Sequence, residues 1–382
     1  AFRFIDEHKE AMIALWQDLV MTESFFNDKA GIDKVSARLK KEFENIGGKV
    51  TMHEFEKSGN MLVGELGAGR KGAPIAFMGH MDTVCFPGTI KERPFAIKDG
   101  IAYGPGVLDM KAGVVMGLYI MHALDAAGYD ARSFKWLLAG DEENAHPHSD
   151  AAEIFEREAK GCAAAFDMET GFVDNRIVVQ RKGVARYVLE VKGVAAHVGN
   201  DPENGRNAML EMAHKIIAIQ KLTDFTSGIT YNCGTIEGGT VPNSVPDYCK
   251  IVIDVRHTNI SDATLIKAAL QEITDHITVE GTSAKLTASS TFKPMERTAG
   301  NMWLFEHIKN VSAQLGLDAP TPISSGGGSD AAYSVAAGVP SLCSMGVKGG
   351  RNHSPEEFAV VDTMFERCKL IIAAILTLPE YK

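Results

Sequence analysis

The sequence predicts an α/β protein built as a larger domain with a mostly parallel sheet, plus a smaller α+β two-layer domain inserted into it. Three observations carry this prediction. Strand and helix candidates alternate through the first part of the chain, and those strands are apolar without polar alternation, as expected of strands buried on both faces. The texture then changes around Gly183 and changes back near Lys293. Finally, 382 residues exceed the length over which one hydrophobic core usually keeps growing. The expected boundaries are 1–183 with 293–382 for the larger domain and 184–292 for the insert.

In chain order, residues 3–20 and 33–46 place apolar side chains at helical spacing, and Gly47-Gly48 stops the second run. Strands are expected at 50–56, 60–66 and 74–79. A buried helix follows over 112–128 ("AGVVMGLYIMHALDAAG"), then a strand in "SFKWLLAG", a helix in "SDAAEIFEREA" and a strand in "GCAAAFDME". In the insert, "ARYVLEVKG" alternates, "NAMLEMAHKIIAIQKL" is helical, and "NCGTIEGG", "DYCKIVIDVRH", "ATLIKAALQEITDHI" and "SAKLTASST" complete a β-α-β-β-α-β series.

A formal charge of −10 argues against a nucleic-acid or anionic-membrane surface. No uninterrupted apolar run reaches about 18 residues, so no membrane span is expected. The start, "AFRFIDEHKE", lacks the basic and apolar regions of a signal peptide. Six cysteines without a CxxC pair, several in apolar segments, read as reduced thiols, so a cytoplasmic protein is expected. "GELGAGRKG" resembles a phosphate loop but lacks the GK[ST] ending.

The segment "FMGHMDTV" ends an apolar run on His80 and follows it with Asp82. Asp109 stands before a helix in "GPGVLDMKAG"; Glu142, Glu143 and Glu169 stand just after strands, and His353 lies in the loop "GGRNHSPEE". Taken singly, each is an ordinary surface or capping residue. Together they recur where an open α/β sheet binds ligands, beyond the carboxyl ends of its strands. So many buried carboxylates repel unless cations lie between them, and imidazole with carboxylate suits zinc, cobalt or manganese.

"HMDTV", "GPGVLDMKAG", "GDEE", "SSGGGSDAAY" and "NHSPEE" resemble the signature of the M20 family of dinuclear zinc peptidases, nearest to its glutamate carboxypeptidases. The resemblance runs from about Ile5 to the C-terminal helix. It implies two divalent ions per chain, with His80 and Glu169 on one, Glu143 and His353 on the other, and Asp109 on both. It implies Glu142 as the general base for a water held between the ions, and Asp82 as the group that orients the His80 ring. It also implies a cis bond after Asp109.

For the insert, the resemblance implies a lid that pairs two copies as a homodimer. His197 would then reach the partner's reacting oxygen, and Asn243 and Arg256 would bind substrate. Gly326, Gly327 and Gly328 would let backbone N–H groups approach the substrate carboxylate. Arg176 and Lys293 fall where glutamate-specific relatives carry basic groups, so the expected substrate is a small peptide or N-acyl amino acid cleaved before an acidic C-terminal residue. The alternatives are a broad dipeptidase or N-acyl amino-acid deacylase of the same family, and a non-catalytic metal- or peptide-binding protein. Two departures stand out. "NAHPHSD" replaces the family's small-residue segment after DEE, with His146 and His148 expected either to tune the pocket or, the favoured reading, to cap the next helix, and "DMETG" replaces Glu-Pro after Glu169.

Overall fold

The apolar strands of the first part assemble as their burial demands. The structure, a computed structural model, describes residues 1–381. Strands β1 (Lys49–His53), β2 (Gly59–Leu66), β3 (Gly72–His80), β4 (Arg132–Gly140) and β5 (Ala164–Asp167) belong to the larger unit. β6 (Gly183–Lys192), β7 (Thr230–Gly238), β8 (Tyr248–His257) and β9 (Ser283–Phe292) belong to the smaller one, and β10 (Ser341–Leu342) returns to the first.

Among the described residues the main sheet has the order β1-β2-β4-β3-β5-β10. The pairs β4/β3, β3/β5 and β5/β10 are parallel, and β1/β2 and β2/β4 are antiparallel. Helix Ala112–Ala126 packs on this sheet, its side chains Val115, Ile120 and Leu124 fully buried. Together with the kinked turn before it, Val107–Ala126 is long and apolar enough to cross a membrane, but 89% of its most apolar 18-residue window is buried inside the protein. Phe77, Phe134, Trp136 and Phe166 fill the same core.

The expected single helix over 3–20 is two, Phe2–Glu7 and Lys9–Met21. His8 breaks it: its Nδ1 donates to the Phe4 carbonyl at 2.7 Å and its ring stacks on Phe4. No disulfide links the cysteines.

The smaller unit spans Arg181–Glu296 and takes in Ser325–Gly328, so both 184 and 292 fall inside it. Its antiparallel sheet has the order β7-β8-β6-β9, with helices Ala208–Gln220 and Asp262–Asp275 packed on it. Leu189, Ile251, Ile253 and Val255 alternate inward to make its core, as period-two strands require. A buried ion pair, Lys215–Glu211 at 2.9 Å, links its two helices through Lys215 Nζ, which donates to the carbonyls of Ile273 and Thr274.

Candidate active site

Parallel strands leave the sheet at one edge, and here that edge carries charge. β3 ends on His80, β4 passes into Asp141-Glu142-Glu143, and β5 passes into Met168-Glu169. Gly113 and Gly346 permit the backbone crowding there: a Cβ at either would lie 1.8 Å or 2.3 Å from the Met168 carbonyl oxygen. A ladder of short strands, Ala96–Lys98, Ile101–Tyr103, Phe358–Val360, Lys348–Gly350 and Gly171–Phe172, brings in the loops of Asp109 and His353 from distant parts of the chain.

The side chains form two sets that share one carboxylate. His80 Nε2 lies 3.3 Å from Asp109 Oδ1 and 3.4 Å from Glu169 Oε1. His353 Nε2 lies 3.3 Å from Asp109 Oδ2 and 3.2 Å from Glu143 Oε2. Glu142 Oε2 stands farther back, 3.9 Å from His80 Nε2. The Asp109–Met110 bond is cis.

Electrostatics at this cluster are those of acids crowded out of water. Burial pushes the Glu142 carboxyl well above the usual range, with nearby Glu169 and Asp330 adding to the effect. Burial also raises Glu143, to about 7, against the pull of His353. Asp109 is held low despite its burial, because His353 and His80 both face it. His353, between Asp109 and Glu143, is pushed up to about 11.

Two buried atoms, His80 Nε2 and Glu143 Oε1, have no hydrogen-bond partner. A buried imidazole nitrogen that faces several carboxylate oxygens without a directed hydrogen bond is what a cation ligand looks like. Two imidazoles and three carboxylates therefore fit divalent ions, and within the cluster His80, Asp109 and Glu143, and likewise His80, Glu142 and Glu169, offer ligand atoms within 4.8 Å of one another.

Asp82 is fully buried and acts on two sides. Its Oδ1 lies 3.3 Å from His80 Nδ1, and its carboxylate accepts the backbone N–H of Glu142 at 3.2 Å and of Glu143 at 3.0 Å. His80 Nδ1 also donates to the Asp82 backbone carbonyl at 3.1 Å, so Asp82 orients the ring through both groups and the Glu142-Glu143 turn through its carboxylate.

Residues outside the sequence reading complete the support. Glu357 accepts N–H groups from Gly106, Leu108 and Asp109 at 2.8–2.9 Å, which fixes the turn carrying Asp109. Asn352 Nδ2 donates to Asp109 Oδ2 at 2.8 Å. Buried Lys111 donates to the carbonyls of Leu19 and Thr22, anchoring the same turn to the end of helix Lys9–Met21. The quoted motifs contain Glu357, Asn352 and Lys111, but motif membership does not separate a ligand from a residue that holds one.

Neither histidine of "NAHPHSD" caps a helix, a correction to the sequence reading. Helix Ala151–Ala159 begins after Asp150, and it is the Ser149 hydroxyl that accepts the Ala151 N–H. His146 is buried between two aspartates instead, because both of its ring nitrogens find carboxylate partners there. The backbone carbonyl of His148 accepts from Ser58 Oγ.

Arg176 lies half-exposed at the start of strand Arg176–Arg181, paired with Asp174 at 2.7 Å and stacked over the Phe172 ring, and these contacts include no member of the cluster. His197, Asn243, Arg256, Lys293, Gly326, Gly327 and Gly328 all belong to the smaller unit. His197 and Asn243 lie in adjoining loops: His197 bridges to Ser244, and the Asn243 carbonyl accepts the Val198 N–H. Arg256 pairs with Asp254 and reaches the Gly326 carbonyl, while Arg181 donates to the carbonyls of Gly327 and Gly328. Lys293 is exposed.

Residues 76–377, which include every member of this cluster, match the sequence profile of Peptidase family M20/M25/M40. The chain belongs to this family. Carboxypeptidase G2 of Pseudomonas sp. (strain RS-16) is 27% identical over 388 residues, covering 99% of this chain and 91% of that protein. Succinyl-diaminopimelate desuccinylase of Ehrlichia ruminantium (strain Welgevonden) is 24% identical over 78% of this chain and 79% of its own length. Among solved structures, aminopeptidase PepT from Bacillus cereus ATCC 10987 shares the fold with a TM-score of 0.80 at 24% identity, covering 96% of this chain and 98% of that one. The chain is accordingly an M20 metallohydrolase that uses divalent metal.

Proposed function

We propose that the protein hydrolyses the amide or peptide bond before a C-terminal amino acid of a small peptide or N-acyl amino acid, with preference for an acidic leaving residue. The observation that carries the hydrolytic reading is the pair of imidazole–carboxylate sets sharing Asp109, with Glu142 set just behind His80. His80, Asp109 and Glu169 would hold one divalent ion, and His353, Asp109 and Glu143 a second, zinc being the expected metal and cobalt or manganese alternatives. Bound there, the ions would acidify water and polarise the scissile carbonyl.

The chain's own residues then have separate tasks. Glu142 accepts a proton from the attacking water as its oxygen bonds to the carbonyl carbon. The same carboxyl returns that proton to the leaving nitrogen as the C–N bond breaks, so no net proton is lost. Asp82 keeps the Glu142 backbone and the His80 ring in register.

For the small unit the proposed roles are dimerisation and transition-state stabilisation. β7 is an edge strand, and Ile236 on it, with Met209, Leu210 and Ile217 on the neighbouring helix, exposes apolar surface that a second copy would cover. His197 Nδ1 accepts the Gly199 N–H, which leaves Nε2 as the donor of the neutral ring. That donor would serve the reacting oxygen of the partner copy's substrate, with Asn243, Arg256 and the Gly326–Gly328 segment recognising the rest.

The acidic preference rests on Arg176 and Lys293. The engagement of Arg176 by Asp174 and Phe172 favours, as a second reading, a broad dipeptidase or N-acyl amino-acid deacylase. Zinc- and cobalt-loaded protein offered N-acyl amino acids and dipeptides ending in Glu, Asp, Ala or Leu separates the two. Faster release of Glu and Asp, with the order lost in Lys293→Glu, supports the carboxypeptidase reading. Preference for Leu supports the second reading, and release of nothing overturns both.

A further inference from the structure

The segment that departs from the family pattern after the paired glutamates holds a buried ionic bridge. His146 Nδ1 lies 2.8 Å from Asp141 Oδ1, and His146 Nε2 lies 2.7 Å from Asp330 Oδ1. All three side chains are nearly inaccessible, at 2–3% exposure. The ring is packed beside Phe155 and Tyr333, which stack on each other.

The position of Asp141 gives the bridge its significance. It immediately precedes Glu142, and the turn closes on itself: Ala145 N–H donates to the Glu142 carbonyl at 2.7 Å and His146 N–H to the Asp141 carbonyl at 3.2 Å. Ala145 and His146 both take left-handed backbone angles, φ 59° and 52°, which non-glycine residues adopt only when their surroundings hold them there. Asp82 grips the same turn from the β3 side through the N–H groups of Glu142 and Glu143. From the other side, the turn is tied through His146 to Asp330, at the start of helix Ala331–Ala336.

We propose that His146 is a positioning residue for Glu142: by donating from both ring nitrogens, to Asp141 and to Asp330, it ties the turn that carries the base to helix Ala331–Ala336. The proposal rests on the reading of Glu142 as the base. A side chain with two opposed donors on a rigid ring suits the task, because the span between two buried carboxylates is then fixed. A glutamine in its place can satisfy one aspartate but not both in line. Asp141 Oδ1 also accepts the Ser149 hydroxyl at 3.0 Å, whereas the other carboxylate oxygens of Asp141 and Asp330 have no hydrogen-bond partner, so loss of the imidazole would leave Asp141 with Ser149 alone and Asp330 under-satisfied.

The test compares the parent with His146→Gln, with Asp330→Leu, which removes the acceptor at similar volume, and with the double variant, all loaded with cobalt. Each single variant is expected to lower kcat by about 10- to 100-fold, the range seen when a support behind a reacting group is loosened. KM, metal stoichiometry and the cobalt absorption spectrum should stay as in the parent, because Glu143, the proposed ligand on this turn, is still held by Asp82 through its N–H. The double variant should lose no more than the worse single one, since both break one device. Unchanged kcat in folded single variants would overturn the proposal, as would parallel loss of metal and activity, which would mark a merely structural role. If His146→Gln does not fold, Asp330→Leu decides by the same criteria. Histidine-selective ¹⁵N NMR of the parent supplies a readout free of activity. Two protonated nitrogens on His146 support the bridge and a single one overturns it, even if the parent cleaves no amide and the hydrolytic reading itself fails.

Discussion

The carboxylate of Asp82 accepts the backbone N–H of Glu143 at 3.0 Å while its Oδ1 faces His80 Nδ1 at 3.3 Å. One buried side chain thus couples a residue on β3 to the turn after β4. Asp82→Ala should therefore weaken metal binding and turnover together, by about 10- to 100-fold, as loss of a group that orients a metal-bound histidine does elsewhere. Chelator competition beside kcat checks this, and full metal affinity in the variant would separate Asp82 from His80.

Glu357 should matter for stability more than its distance from the chemistry implies. Its carboxylate receives three backbone N–H groups, of Gly106, Leu108 and Asp109, and is 3% exposed. Truncation to Ala leaves those donors buried without partners, at about 1–3 kcal/mol for each that water cannot reach. Chemical denaturation of the metal-free protein should show a loss of at least about 2 kcal/mol.

The smaller unit has its own pH signature. Burial works against the ionised Glu211 carboxyl, but the N–H groups of Val279 and Thr278 and the Lys215 ammonium outweigh it and hold the carboxyl below its usual value. A depressed folded-state value means the stabilisation is fully present above the unfolded value of about 4.3 and is lost as pH falls through the folded one. Glu211→Gln should thus lower the melting temperature clearly at pH 7, and the gap from the parent should narrow toward pH 3.

If His197 acts across a dimer, activity lost in two different variants returns when they are mixed. His197→Ala and Glu142→Ala preparations, exchanged into heterodimers, contain one site with Glu142 intact and His197 supplied by the other copy. Partial recovery of kcat is expected. Verified heterodimers without activity, or an active monomer in sedimentation, would remove the trans role.

The legible part of this molecule was its periodicity and its motifs. The β-α-β-β-α-β series of the small unit is readable because its strands alternate, as in "YCKIVIDVRH", where every second residue is buried. His80, Glu143 and Glu169 were visible at strand ends, Asp109 before a helix and His353 in a glycine-rich loop, a pattern of acids and imidazoles that a shared sheet edge makes sensible. The break at His8 was not visible, because a side chain bonding the carbonyl four residues back leaves no mark on apolar spacing. Nor was the burial of His146: Asp330 lies 184 residues away, and only the fold brings that carboxylate to the ring. Arg176 has a local partner in Asp174, two residues away, that its place in the sequence did not single out.

In the proposed mechanism Glu142 moves the proton over a cluster whose metal ligands are other residues. The most direct test of this is the zinc-loaded Glu142→Gln variant beside the parent, with metal content and release of free amino acid measured on the same samples. The account predicts two metal ions per chain in both, and turnover in the variant lower by about 10²- to 10⁴-fold. Parent-like turnover in a fully metallated Glu142→Gln protein would contradict it.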